Sequence, residues 1–193
     1  MAIKTFVASE VLTAADTNTY LANSGLVYVK GQTIGTGVSS QVITSCFSAT
    51  YDAYRVVITN MTMSSTAYGT SVLAKMHTGS AAASSGYNYG IAQVDMAAGT
   101  VSANKQISGT NGVFIGGGTG DKFGTAFDVI NPFIATHTLF PVISVTADTS
   151  GYSGSGAGMH QISTAYSSLQ ILVSAGTMTG GTIIVYGYRY GTT

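Results

Sequence analysis

Short alternations of apolar and polar residues fill most of the chain. From residue 26 onward, Val, Ile, Phe, Tyr and Thr recur in short runs, and such runs are typical of β-strands. Stretches rich in glycine and serine separate the runs and predict turns or loops, for example at residues 79–86 and 149–158. The pattern predicts ten strands, at residues 26–34, 41–47, 54–63, 71–77, 88–95, 112–115, 125–130, 138–146, 168–174 and 182–190.

This spacing of strands predicts the fold class. Ten short strands without amphipathic helices between them are typical of antiparallel sheets, because parallel strands need long crossover connections. We therefore expect an all-β fold, an antiparallel β-sandwich with a jelly-roll-like topology.

Two of the predicted strands are apolar on both faces. Residues 54–59 place Tyr, Val and Ile on one face and Arg, Val and Thr on the other. Residues 183–190 place Ile184 and three tyrosines on one face, with Ile183 and Val185 on the other. Strands of this kind are typical of the covered centre of a sheet, so we expect both strands to be central.

The first 24 residues follow a different pattern. Thr13 and Asp16 have the spacing of a capping box, and residues 23–25 supply a stop signal, which predicts one short helix over residues 13–22 after an extended arm. A helix this short is marginal in water without a surface to pack against. We therefore divide the chain into an N-terminal arm with its helix, residues 1–34, and a β-sandwich domain, residues 35–193.

Few of the side chains are charged. Seven Lys or Arg balance seven Asp or Glu, so the formal net charge is zero. Seven scattered basic residues cannot neutralise many phosphates, which argues against general nucleic-acid binding. No apolar run approaches the roughly 20 residues of a membrane-spanning helix, and the N-terminus has no apolar core of signal-peptide length. Since charge repulsion between copies is weak, this composition suits a protein that works in an assembly.

The residues that bind metals or cofactors are scattered. His77, His137 and His160 are isolated in the sequence, and Cys46 is the single cysteine, which excludes an internal disulfide. Zinc sites need clustered His and Cys ligands at short spacings. We therefore expect ordinary polar histidines, with no metal site and no cofactor.

Catalytic motifs are also weak. The glycine-rich residues 116–123 lack the spacing of a phosphate-binding loop, and the serines form no G-x-S-x-G elbow. Folding could still bring two acidic residues together, such as Asp95 and Asp128, as in a glycosidase. The sequence favours a protein that is not an enzyme and leaves this acidic pair as the alternative.

Tyrosine is abundant, with 12 residues in the chain. Tyrosines among Ser, Gly and Asn give amphipathic contact area at low entropic cost, although half-buried strand edges are another common position for them. The candidates for contact with a receptor or a partner protein are Tyr68, Tyr87, Tyr89, Tyr152 and Tyr166.

The opening of the chain contains two motifs, F-x-x-x-x-V-L-T-A-A-D-x-N-T-Y-L at residues 6–21 and G-L-V-Y-V at residues 25–29. With these motifs the chain resembles small virion proteins of tailed bacteriophages. Residues 47–56 and 180–189 resemble the start of the β-domain and the terminal strand in the same group. The resemblance implies a virion role and brings no catalytic residues. The residues expected to anchor the chain to the particle are Phe6, Val11, Leu12, Asp16, Tyr20 and Leu21.

The resemblance and the composition together give one leading expectation. We expect a protein on the exterior of a virion, anchored through its N-terminal arm, as a tail fibre or tail-associated protein that contributes to host attachment. Capsid decoration, as a cement or head-fibre protein, is the first alternative, and a carbohydrate-active virion enzyme is the second. The expected partners are other virion proteins, a host-surface glycan or protein, and further copies of the chain, with a homotrimer favoured; neither nucleic acid nor membrane insertion is expected.

Overall fold

The protein is all-β throughout the part of the chain that the structure describes. The computed structural model describes residues 7, 9–11, 13, 25–65, 70–118, 122–147 and 151–189. No helix occurs in these residues, and residues 14–22 of the predicted helix lie outside them. The strands are β1 (Leu26–Thr33), β2 (Ser40–Ile43), β3 (Ala53–Met63), β4 (Ser71–His77), β5 (Tyr87–Asp95), β6 (Val101–Gly109), β7 (Val113–Gly118), β8 (Lys122–Ile130), β9 (Thr138–Ala147), β10 (Tyr152–His160), β11 (Ser168–Val173), β12 (Met178–Thr179) and β13 (Thr182–Tyr188).

The strands form two connected layers. One hydrogen-bonded path runs β1-β13-β3-β8-β9-β10-β5-β6, and a second path runs β7-β4-β11-β2. The paths join where the end of β9 runs parallel to β7, with Gly117 opposite Thr146. The other strand pairings are antiparallel, so the expectation of an antiparallel all-β fold is confirmed.

Both layers contribute to one buried core. The alternation of β3 turns Val56 and Ile58 inward, and β11 contributes Leu169 and Ile171 from the other layer. Full burial of a side chain of this size stabilises the fold by about 1.5–3 kcal/mol. A hydrogen bond of 2.9 Å also crosses between the layers, from the Met76 amide of β4 to the Tyr87 hydroxyl of β5.

The two strands with apolar residues on both faces are central, as predicted. β3 lies between β13 and β8, and β13 lies between β1 and β3. Their inner faces are buried at Val56 and Ile183, whereas their outer faces are half-buried at Val57 and Ile184. The apolar residues on the outer faces are therefore shielded mainly by their neighbours in the sheet, within the described residues.

The predicted domain boundary after residue 34 lies one residue beyond β1, a strand that is paired with the rest of the sheet. β1 pairs with β13 from Leu26 opposite Tyr188 to Thr33 opposite Thr182. Because this pairing places β1 beside a central strand, residues 26–33 belong to the β-domain and not to the N-terminal arm.

Three strands, β6, β10 and the two-residue β12, were missed in the sequence. β10 occupies most of residues 149–158, which were predicted as a loop, and no strand was predicted at β6. β10 nevertheless lies between β9 and β5. Its inward positions Gly154, Gly156 and Gly158 lie so close to β5 and Val113 that an added Cβ would overlap these neighbours. The close approach of neighbouring residues therefore explains why β10 contains glycines, which in the sequence are typical of a loop.

Tyr54 anchors the loop that precedes β3, which gives a first prediction. Its hydroxyl donates to the Ser48 carbonyl and accepts from the Ser48 amide, both at 2.8 Å. Tyr54→Phe keeps the buried ring and removes both hydrogen bonds, so we expect a loss of about 1–2 kcal/mol in the free energy of unfolding, measured by denaturant titration. Tyr51→Phe is the matched control, with a change expected below about 0.5 kcal/mol. Equal losses in the two variants would contradict the role of the Tyr54 hydroxyl.

Candidate functional site: an exposed apolar face

An exposed surface lies on the outer side of β9, β10, β5 and β6. Ile143 pairs with Ser155, Ser155 with Ala92, and Ala92 with Ala103. Paired residues of antiparallel strands point to the same side, so such rows build one surface. We call it the apolar face, and its residues are Leu139, Pro141, Ile143, Val145, Ser153, Ser155, Ala157, Met159, Asn88, Gly90, Ala92, Val94, Val101, Ala103, Lys105 and Ile107.

Side-chain size gives the apolar face its shape. On β9, Ile143 is 72% exposed, and on β6, Val101 and Ile107 are 75% and 78% exposed. The two inner strands, β10 and β5, carry mostly serine, alanine and glycine on this side. The apolar face is therefore a shallow trough floored by small residues, with a β9 ridge on one side and a β6 ridge on the other.

The apolar face is also nearly uncharged. Lys105 is the only ionisable residue among the residues that define it. A strand with one solvated face normally alternates apolar and polar residues, but β9 is apolar on both sides, with Phe140 and Val142 buried and Leu139 and Ile143 exposed. Contiguous exposed apolar patches larger than a few hundred Å² are rare on monomers and mark interaction sites, so the apolar face is the candidate contact surface.

Two of the candidate contact tyrosines are buried. The ring of Tyr87 lies 4.6 Å from the ring of His160, and the ring of Tyr166 lies 5.1 Å from it on another side. Burial raises the pKa of both tyrosine hydroxyls. Both rings therefore belong to the core of the chain, and a contact of Tyr87 or Tyr166 with a partner stays a prediction.

The other candidate tyrosines are placed differently. Tyr89 is half-buried on the inner side of β5, with its ring centre 6.2 Å from that of Phe114 and its hydroxyl 3.4 Å from the Asn104 side chain. Tyr152 is half-buried at the start of β10. Both lie on the side opposite the apolar face, and Tyr68 lies outside the described residues. A contact role for these three stays a prediction.

The expected anchoring residues fall mostly outside the described part of the chain. Val11 is described and is 78% exposed. The other five, Phe6, Leu12, Asp16, Tyr20 and Leu21, lie outside the described residues. Their anchoring role stays a prediction.

A polar cluster lies on the outer side of β3, β8 and β13. Arg55 Nη1 and Asp128 Oδ1 are 3.3 Å apart, and the Tyr188 hydroxyl donates to the same carboxylate oxygen at 2.8 Å. The hydrogen bond with Tyr188, followed by the charge of Asp128, raises the pKa of Arg55. The ion pair is partly exposed, so its contribution to stability is modest. These contacts use Asp128 as a structural partner of Arg55.

The two acidic residues considered as a glycosidase pair are far apart. The Asp95 carboxylate accepts hydrogen bonds from the amides of Ala97 and Ala98 at 2.9 Å in the turn after β5. Asp128 lies on β8, three strands away across β9 and β10. Strand spacings and register place the two residues roughly 20 Å apart, whereas glycosidase carboxyl groups lie about 5–9.5 Å apart. The fold does not bring this pair together.

Residues capable of metal or redox chemistry are dispersed. Among the described residues, no three His, Cys, Asp or Glu side chains form a group that could hold a metal ion. Burial raises the pKa of the Cys46 thiol to about 12, so the thiol is protonated at neutral pH. In the same part of the chain, no helix has the length and apolarity needed to cross a bilayer.

Comparisons of the chain with models of protein families, with curated proteins and with solved structures find no match. The fold and the site by themselves define an all-β protein with a large, nearly uncharged apolar face. The function is therefore inferred from this surface and from the residues of the N-terminal motif.

Proposed function

We propose that this protein is a non-enzymatic structural component of a tailed-phage virion. It is anchored to the particle by the segment before β1, and its β-domain lies on the exterior as a tail fibre or tail-associated protein that contributes to host attachment. The resemblance of residues 6–21 and 25–29 to phage virion proteins supports this assignment. No cofactor is required for this role.

The finer features of the proposal follow from the same sequence pattern. The β-domain is a jelly-roll-like sandwich, and residues 13–22 form a short helix that is stabilised by the surface to which it binds. The protein acts as a homo-oligomer, with a trimer favoured. Its other partners are virion proteins and a glycan or protein of the host surface.

The observation that carries the proposal is the apolar face. Soluble monomers rarely expose contiguous apolar patches larger than a few hundred Å², and Ile143, Val101 and Ile107 are each more than two-thirds exposed in the isolated chain. With only 14 charged residues in 193, little repulsion keeps neighbouring copies apart. Both features suit a protein that is surrounded by other proteins in an assembly.

Deletion of residues 2–24 tests the anchoring. Because β1 begins at Leu26 and is paired with β13, the shortened chain retains its sheet. We expect it to fold with an unchanged circular dichroism spectrum but to be absent from purified particles, measured by immunoblotting. A chain with residues 2–24 in scrambled order is the matched control for length and composition, and it should also be absent. Normal incorporation of the deletion variant would refute the anchoring role.

Capsid decoration is the second candidate, because the apolar face also suits contact with neighbouring shell subunits. The two candidates differ in the number of copies per particle. Decoration of a shell requires many copies, whereas a tail appendage requires few. Quantitative gel analysis of purified particles, with labelling to locate the protein on head or tail, distinguishes them.

A further inference from the structure

The apolar face has the size of a specific protein interface. Four strands at about 4.8 Å spacing and seven residues at about 3.4 Å rise cover a flat area of about 450 Å². Two such surfaces in contact remove about 1,000 Å² from water, since side chains add to the flat area, and this is about the smallest area of a biological interface. The surface is therefore large enough for a weak contact between two protein chains.

The apolar face carries both a ridge and a trough. Its β9 ridge, with Leu139, Ile143 and Val145, stands beside a trough whose floor is formed by small residues of β10 and β5. The β9 ridge of one copy fits into the trough of the next, with the sheets about 10 Å apart. Two whole faces in contact give a two-fold dimer, whereas in a three-fold trimer each face is divided between two neighbours.

The charge distribution of the apolar face also favours a second copy of the chain as its partner. Lys105 is the one ionisable residue of the apolar face and lies on β6, at the side of the surface. When two copies meet, no charged side chain lies at the centre of the contact, so no charge has to be removed from water at that place. A nucleic acid needs several basic residues, which this surface does not provide.

We propose that the apolar face is the contact surface between copies of this chain. The inference rests on the homo-oligomer in the proposed function and names the surface that forms it. The ridge residue Ile143 lies in the contact, and its side chain is covered by small residues of the neighbouring copy. The same surface serves a dimer or a trimer.

Ile143→Glu tests the assignment through the molar mass of the purified full-length chain. We expect the parent to have the mass of two or three chains by light scattering. The variant should dissociate into single chains at protein concentrations at least 100-fold higher than those at which the parent dissociates. Ile134→Glu is the matched control, since Ile134 is 44% exposed and lies outside the apolar face. Unchanged circular dichroism in both variants verifies folding. Parent protein that is monomeric at every concentration would overturn the inference.

Cross-linking provides a second measurement. The natural Cys46 is buried, and burial raises the pKa of its thiol to about 12. A thiol reagent therefore reacts with an introduced, exposed cysteine and not with Cys46. In Ile143→Cys, a bismaleimide with a span of about 10 Å should join two chains, whereas Ile134→Cys should stay uncross-linked. An oligomer that survives Ile143→Glu and fails to cross-link at position 143 would place the contact elsewhere. These results are independent of particle incorporation, which tests the virion role.

Discussion

Adding one methyl group at Gly156 is expected to destabilise the protein by about 3 kcal/mol, a large part of the 5–15 kcal/mol that stabilises a typical domain. Gly156 lies in the middle of β10, between β9 and β5. A Cβ at this position would overlap the carbonyl oxygen of Gly90 and lie 2.7 Å from the Cα of Ile91. Both are backbone atoms of a paired strand, so relief of the overlap requires β10 to move away from β5.

Gly90→Ala is the matched control for Gly156→Ala. Gly90 lies on β5 beside Gly156, but nothing lies within 4 Å of a Cβ built on it. We expect this variant to remain within about 0.5 kcal/mol of the parent or to gain stability, because alanine restricts the unfolded chain. Guanidinium unfolding at one protein concentration compares the three proteins. Equal midpoints for Gly156→Ala and the parent would contradict the close approach of β10 and β5.

Alternation along the sequence was enough to predict the centre of the sheet. In β3 and β13, apolar residues occur on both faces, and both strands lie between two neighbours in the structure. Period-two alternation reports directly on side-chain direction. It does not report which strands pair, and this is why β1 was separated from the domain to which its hydrogen bonds with β13 assign it.

Composition alone did not identify all the strands of the sheet. The glycine-rich composition of β10 is typical of a flexible loop. Glycine is nevertheless required because β5 and Val113 closely approach the backbone at Gly154, Gly156 and Gly158. Such contacts join residues that are far apart in the sequence. β6 carried a usable signal, since Val101 and Ile107 belong to an alternating run.

The candidate site was harder to predict than the fold. The sequence directed attention to tyrosines, but Tyr87 and Tyr166 pack around His160 in the core. The apolar face arises from β9, β10, β5 and β6, whose exposed sides become one surface only through their register. In the sequence, Ile143 is indistinguishable from a core residue.

Lowering the pH from 8 to 5 is expected to destabilise the fold through His160 and His77. His160 is fully buried, its Nε2 atom lies 3.0 Å from the Ser85 carbonyl oxygen, and its Nδ1 atom has no hydrogen-bond partner among the described residues. Burial, with a smaller effect from His137, lowers the pKa of His160, although the bond to Ser85 opposes the shift. Protonation would place an unpaired N–H and a charge in the core.

His77 adds to the same dependence. Its Nδ1 atom accepts a 2.8 Å hydrogen bond from the Gly79 amide, and burial lowers the pKa of the ring. A protonated Nδ1 can no longer accept this bond. His77 and His160 contact the two ends of the loop at residues 78–86, so acid should loosen this loop before the rest of the sheet. Hydrogen exchange of the loop amides measures this local effect.

The stability falls with decreasing pH because the unfolded chain binds protons at its histidines at higher pH than the folded chain does. In the unfolded chain His77 and His160 protonate near pH 6.5, whereas in the folded chain burial lowers the pKa of both rings, so they protonate only at lower pH. Stability from these groups is therefore constant above about pH 7.5 and falls as the pH drops through about 6.5 toward the lowered folded-state values. Thermal unfolding at constant ionic strength should show this fall in the parent and in the control His137→Gln. The double variant His77→Asn with His160→Gln should flatten the curve, and an equally steep curve would show that other groups cause the acid sensitivity.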